Sequence, residues 1–439
     1  MRLPIRILGI TLSLAGLAGA WFIQGVPLPS VTPAAQEPLA VTTDAKPLQL
    51  YCPGPLVELG GKDGTDLGSL ALIGKANISY RLGTGSLALE PQTQVESGTA
   101  ITMESREQGS ATLAAAQSQL IQRPRMAGLA ATGCGQPQAE GWLLTGLAGS
   151  GFESILLVAN PNPVEIQVQL TFHLSTTTTS HLITLAPLAQ QQLSLASFVE
   201  AEPQFAIHFQ SSGQKVSVAV QNRSSAGLSA TGVELVGPTL APAKSQVIPG
   251  FEVLADGLAD PNLRIFNPGS EPTTALVTFV GSGTNSDVVS VEVPAGGFEL
   301  VTPKLVAGNY LVLIEAQAEV MAELYNPYVG QNFDFAWLSP VATKTGETAM
   351  AIPGYAAKLA LANTGAQAVS VILTLDSGSQ AISIPARSQL LVNVTGKALV
   401  LDSTAEYRAS LILTDPRGYA VIAPRENANL GSDIQVLVR

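Results

Sequence analysis

One pattern restricts this chain more than any other: it repeats itself. Leu156-Leu157-Val158-Ala159-Asn160-Pro161-Asn162 matches Leu263-Arg264-Ile265-Phe266-Asn267-Pro268-Gly269, and both match Leu359-Ala360-Leu361-Ala362-Asn363-Thr364-Gly365. The asparagines stand 107 and 96 residues apart, and each precedes an alternating segment ending in Val-Gln-Leu-Thr-Phe (168–172), Ala-Leu-Val-Thr-Phe (275–279) or Val-Ile-Leu-Thr-Leu (371–375). A fixed internal period means one supersecondary unit written several times. Pro187, Pro294 and Pro385 follow apolar stretches, with Leu193, Leu300 and Leu391 downstream. A further landmark reads as a hairpin in each copy: Phe205–Val220, Tyr310–Leu324 turning near Gln317, and Tyr407–Ile422 turning at Asp415-Pro416-Arg417-Gly418. Asn222 and Asn326 follow the first two at matching distance.

Period-2 alternation, β-branched residues and regular turns argue for strands. The expected fold is all-β: tandem immunoglobulin-like antiparallel β-sandwich repeats over residues 141–236, 245–330 and 347–439. Glu315, Glu319 and Glu323, spaced as on a helix face, read as strand because of their place in the repeat. The Asn-Pro and Asn-Thr-Gly turns read as fold punctuation: Asn caps its own turn and tolerates the left-handed region. Residues 49–140 match the template poorly and read as a β-rich N-terminal domain, with 112–120 open between strand and short helix.

The N-terminus sets the compartment. Arg2 and Arg6 precede an uncharged apolar run from Ile7 to Ile23. Residues 1–26 are therefore a signal peptide, cut after Ala18-Gly19-Ala20, or a membrane anchor with the arginines in the cytoplasm. Its 17 residues reach the lower end of the spanning range of about 17–25. Residues 27–48, rich in Pro, Ala and Thr, read as an extended linker. In an exported chain the two cysteines, Cys52 and Cys134, are expected to form a disulfide.

Composition excludes several function classes. With 46% hydrophobic and 13% charged residues, the chain is too apolar for disorder. A net charge of −11 opposes phosphate backbones, so nucleic acid is not an expected partner. Histidine occurs three times, as His173, His181 and His208. Apolar alternation places Phe172 opposite Ile183 and splits His173 from His181, so no metal site is expected. The chain carries no nucleophile elbow, zinc motif or phosphate loop. No cofactor and no enzymatic activity are expected. Aromatics make up only 5% of residues, yet Tyr325, Tyr328, Phe333, Phe335 and Trp337 cluster after repeat two. They are a candidate sugar-binding surface, or they plug the joint between repeats two and three.

An N-terminal hydrophobic segment, Cys52-Pro53-Gly54-Pro55, a second Cys before Gly141-Trp142-Leu143-Leu144, and the Leu156–Pro161 stretch together resemble an actinobacterial family of exported proteins of unknown function. Trp142 departs from the aromatic pair that relatives carry there. The resemblance spans about residues 45–439 and implies an envelope location, repeated β-domains, and envelope glycan or a membrane glycosyltransferase as partner. The expectation for function is a membrane-anchored scaffold or interaction module. The alternative is a carbohydrate-binding accessory factor in envelope polysaccharide assembly.

Overall fold

The computed structural model describes residues 39–41, 49–60, 66–81, 101–104, 113–146, 148–199, 202–254, 260–281, 286–424 and 434–436. The expected signal or anchor helix lies outside the described residues. Among those described, no helix is long and apolar enough to cross a membrane. The chain divides into two compact units, a small one of 1–44 with 431–439 and a large one of 45–430. In the small unit, Leu39–Val41 pairs antiparallel with Ile434–Val436. All that follows concerns the large unit.

The fold is all-β and built from several sheets; the described residues hold one short helical turn, Leu195–Ser197. In the first repeat, one sheet runs in the order Gln190–Ser194, Phe152–Ala159, Ser217–Ala226, Ser229–Val236. The facing sheet runs Thr178–Leu185, Ile166–His173, Ala206–Ser211, Glu140–Leu143. Alternation explains the pairing of faces. In Ile166–His173 every second side chain (Ile166, Val168, Leu170, Phe172) is fully buried, and these meet Leu156, Val158 and Val220 of the other sheet. The third repeat repeats this order strand for strand, with sheets Ser388–Val394, Ala356–Asn363, Arg408–Asp415, Gly418–Ile422 and Gly378–Ile384, Val369–Leu375, Ala398–Asp402, Thr348–Ala351.

The middle repeat has the same order with one change. A single 22-residue strand, Gly308–Val329, serves both sheets. Its first half pairs with Ala243–Val253 and Thr273–Val280, its second with Asn262–Phe266 and Phe333–Leu338. Glu315, Glu319 and Glu323 lie on this strand, as expected.

Two expectations from the sequence are corrected by the structure. Phe205–Val220 is not a hairpin: Ala206–Ser211 and Ser217–Ala226 belong to opposite sheets, so the segment arches between layers. No turn interrupts 310–324, since the strand is continuous. The true hairpins come one strand later, at Ser217–Ala226 with Ser229–Val236, at Gly308–Val329 with Phe333–Leu338, and at Arg408–Asp415 with Gly418–Ile422. Only in repeat three does the expected hairpin coincide with a real one. The open choice over 112–120 resolves to strand, Ala114–Arg123.

That strand pairs with Met126–Gly133 into a fourth hairpin, backed by Asn77–Arg81. The four second arms of the hairpins touch in a closed cycle: Met126–Gly133 with Ser229–Val236, that with Phe333–Leu338, that with Gly418–Ile422, and that again with Met126–Gly133. The large unit is thus a ring of four parts around an axis. Shared cores seal the joints. Leu129 and Ala131 enter the core of repeat three, and Ala130 and Met126 pack with Ile155, Leu157 and Val233 of repeat one. Ala360, Ile412 and Tyr419 of repeat three enter the core of repeat two.

Candidate functional site

The axis is where the sequence concentrates its exceptions. Strand pairing makes Gly232, Asp334 and Gly418 equivalent, each opposite the corresponding residue of its hairpin partner: Ser224, Tyr328 and Asp415. Gly128 occupies the same place in the fourth hairpin. Asp334 is buried, and its carboxylate gathers amides from the other three parts. Oδ2 accepts the N–H of Leu129 at 2.8 Å and of Tyr419 at 2.9 Å, and Oδ1 accepts that of Val233 at 3.1 Å. Each donor is the residue after one of the three glycines. A Cβ on Gly128, Gly232 or Gly418 would come within 3.0 Å of an Asp334 carboxylate atom. The glycines vacate the space that one carboxylate fills. Burial pushes the Asp334 carboxyl up to about 8, and its backbone donors pull against that.

Around this hub three of the four joints have a polar clamp, while the joint between repeat three and the N-terminal part is packed by Leu129 and Ala131. Between repeats one and two, Arg264 is buried and donates from Nη1 to the carbonyls of Leu144 (2.8 Å) and Gly146 (3.0 Å) and from Nη2 to that of Pro203 (3.2 Å). It stands opposite Glu323 in the pairing and lies 4.9 Å over the Trp337 ring. Burial lowers it to about 10, with Glu323 opposing. Between the N-terminal part and repeat one, the Gln221 amide accepts from Val57 N–H at 2.8 Å and donates to Val57 C=O at 2.7 Å. Within the N-terminal part itself, Gln117 and Gln119 accept from the Gly54 and Leu56 N–H groups. Between repeats two and three, Gln389 accepts from Gly250 N–H at 2.9 Å and Ser410 donates to Pro249 C=O at 3.2 Å.

The five aromatics of the candidate sugar surface do not form one platform. Phe335 and Trp337 are buried with Val236 in the joint between repeats one and two, and Tyr325 packs on both. Tyr328 faces the other way and stacks on Tyr419 of repeat three at 5.3 Å, so it lies in the joint between repeats two and three. Only Phe333, at a hairpin tip, is exposed, at 44%. Strand alternation separates them, because neighbouring odd and even positions point to opposite sides. As a shared exposed stacking surface the cluster is therefore corrected: its rings serve two joints and a tip.

As expected, His173 and His181 are not paired across the strands, but the register is another one. Phe172 lies opposite Thr179, not Ile183, and His181 opposite Leu170. His173 and His208 flank Trp142, with the His208 ring stacked on it at 4.2 Å and Nε2 2.7 Å from Glu140. Burial and the neighbouring His208 lower the His173 pKa. Among the described residues no group of His, Cys, Asp and Glu is placed to hold a metal. Cys52 and Cys134 form the expected disulfide, 82 residues apart.

Sequence reasoning missed the hub and the clamps. The readable signal was Gly followed by an apolar strand residue at 128, 232 and 418, against Asp334 between two phenylalanines. It missed the axial mouth too. Beyond the hub, three central strands end in equivalent dipeptides, Gly237-Pro238, Ser339-Pro340 and Ala423-Pro424, where the fourth has Gly133-Cys134. Proline ends ladder pairing, so the strands part there. They open a cavity of about 400 Å³ lined by residues from all four parts.

A family model described as a family of unknown function (DUF5719) matches residues 90–392. No curated protein matches the chain. One similar solved chain comes from a study of how a 1.5-MDa bacterial ice-binding adhesin is retained on the host cell surface. It is 11% identical, with a TM-score of 0.09, over 59% of this chain and 86% of that one, a likeness too low to bear on function.

Proposed function

From the premise that the chain belongs to this family of unknown function, DUF5719, we propose that it is an exported, membrane-anchored scaffold or interaction module of the cell envelope. One observation carries the reading: a buried carboxylate, a buried guanidinium and side-chain amides hold the four parts in one ring. Asp334, Arg264, Gln221 and Gln389 bind backbone of neighbouring parts. Catalysis asks for titratable groups converging on a space that substrate can enter, and here they converge on joints. The disulfide supports an oxidising compartment. The basic, then apolar, N-terminus supports export and anchoring.

Three further statements belong to this proposal. Each pair of sheets, with eight strands in repeats one and three and seven in the middle repeat, is an immunoglobulin-like sandwich, the domains follow the bounds given from the sequence except that the middle repeat takes in Ala243–Val253 and Phe333–Leu338, and the envelope is actinobacterial. The test is co-purification of the full-length chain from detergent-solubilised envelope membranes. The expected result is retention of a membrane glycosyltransferase or envelope glycan by the wild-type chain, and loss of that retention when Asp334→Ala opens the ring. Retention of neither, or turnover of a substrate by the purified chain, overturns the proposal.

A further inference from the structure

The axial cavity combines features that select a ligand class. Its volume, about 400 Å³, lies in the range of small-ligand sites, about 300–1,000 Å³. Its hydrogen-bonding side chains are mostly uncharged hydroxyls and amides, including Thr132, Gln138, Ser217 and Thr239, while the Ser339 hydroxyl already donates to Glu323. Of the charged groups on its wall, Lys215 is a single cation and Glu140 a single anion, and Glu140 already holds His208. In a chain of net charge −11, this wall offers no surplus charge to compensate a desolvated ionic ligand. The same wall includes the rings of Pro53, Pro137, Pro238, Pro340 and Pro424, which offer C–H surface.

A peptide adding as a strand needs open backbone edges. The wall segments instead pair with one another. Tyr51 and Gly135 exchange N–H to C=O bonds at 2.8 and 3.1 Å, Gln138 and Val216 exchange two at 2.8 Å, and Thr239 N–H reaches Trp142 C=O at 2.9 Å. What remains on the wall is side-chain hydroxyl and amide together with apolar proline rings. That complements a sugar ring, which carries hydroxyls at its edge and C–H groups on its faces.

We infer that the axial cavity is a binding site for the end of a neutral glycan, taken up where the central strands part. The inference rests on the reading of the chain as an interaction module and names what one of its surfaces holds. Isothermal titration of the full-length chain tests it, with neutral tetrasaccharides of glucose, mannose, galactose and arabinose as probes. A uronic-acid tetrasaccharide and a proline-rich peptide serve as comparison probes.

At least one neutral tetrasaccharide binds. Gln138→Ala, at an exposed wall position, weakens that binding about tenfold, the cost of one lost hydrogen bond. Ser217→Trp, which fills the cavity, abolishes it, with thermal unfolding checking that the variant folds. Thr239→Ala carries the second arm if it does not. No binding of any neutral tetrasaccharide, binding unchanged in the wall variants, or binding of the acidic or peptide probe alone overturns the inference. Those failures leave envelope co-purification unaffected, so they are separable from failure of the scaffold reading.

Discussion

Asn160, Asn267 and Asn363 each hold their turn the same way. Oδ1 accepts the N–H two residues on, at 2.9, 2.9 and 2.8 Å, while Nδ2 donates to the carbonyl four residues on. Nδ2 also reaches the end of a strand in the facing sheet, at Leu185, Val293 or Ile384. The sequence reading of Asn as a turn cap therefore holds, but none of the three uses the left-handed region. That conformation falls on the facing loop, at Leu188 (φ 55°), Gly296 (φ 60°) and Arg387 (φ 50°). These are equivalent positions whose N–H groups bond Asn162, Gly269 and Gly365. A Cβ costs about 1–2 kcal/mol in that region. Leu188→Gly is thus expected to be neutral to stabilising and Gly296→Ala to destabilise by about 1 kcal/mol, both read by urea unfolding. Asn267→Ala leaves buried backbone groups unpaired and is expected to cost about 2 kcal/mol in the same assay. Asp334→Ala strips three buried amides of their acceptor and is expected to cost about 3 kcal/mol or more. The pH dependence has a defined sign. Asp334 titrates higher folded, about 8, than its ordinary 3.8, so its protonated form favours the fold. That contribution is whole at low pH and is lost as pH rises from about 4 to about 8. Unfolding free energy is expected to fall between pH 5 and pH 8, with Asp334→Asn flattening the drop.

At the scale of strands and turns, much of the architecture was legible before any coordinate. Alternation at 168–172, 275–279 and 371–375 identified strands, which the structure places at Ile166–His173, Thr273–Val280 and Val369–Leu375, and the Asn turns marked where they begin. Hairpins were legible only where the turn chemistry is local, as in Asp415-Pro416-Arg417-Gly418. An arch between sheets and a true hairpin present the same pattern of two apolar runs and a polar gap, which is why 205–220 misled. The 310–324 segment misled for another reason: Gln317 interrupts the apolar run but not the ladder. Buried Gln117, Gln119 and Gln221 were invisible because a glutamine in a strand reads as solvent-facing until its backbone partner, 164 residues away for Gln221, is known. The disulfide joins the strand Gln49–Cys52 to the residue that follows Met126–Gly133, and its two half-cystines are buried with Leu50 and Leu113. Closing a loop of 82 residues stabilises by about 4 kcal/mol in the chain-entropy model. Reduction, or Cys52→Ala with Cys134→Ala, is expected to lower the unfolding midpoint, measurable by calorimetry with and without reductant.

At the scale of the whole molecule, four parts share one axis and four mutual joints, so no part keeps its surface covered when a neighbour opens. Calorimetry of the full-length chain is expected to show one transition for the ring, and deletion of residues 347–424 to destabilise the other three parts together. Two resolved transitions would refute that coupling. The sequence disclosed the repetition but not the circle, because the contacts that close it join Leu129 to Asp334 and Gly418, far apart along the chain. The hub has a consequence for how such a molecule can arise. Four aspartates would crowd four carboxylates into one void, and four glycines would leave that void empty. Identical copies self-assembling as a tetramer could not supply three absences and one occupant. The divergence between copies is therefore a matter of stoichiometry, and it ties the four to a single polypeptide.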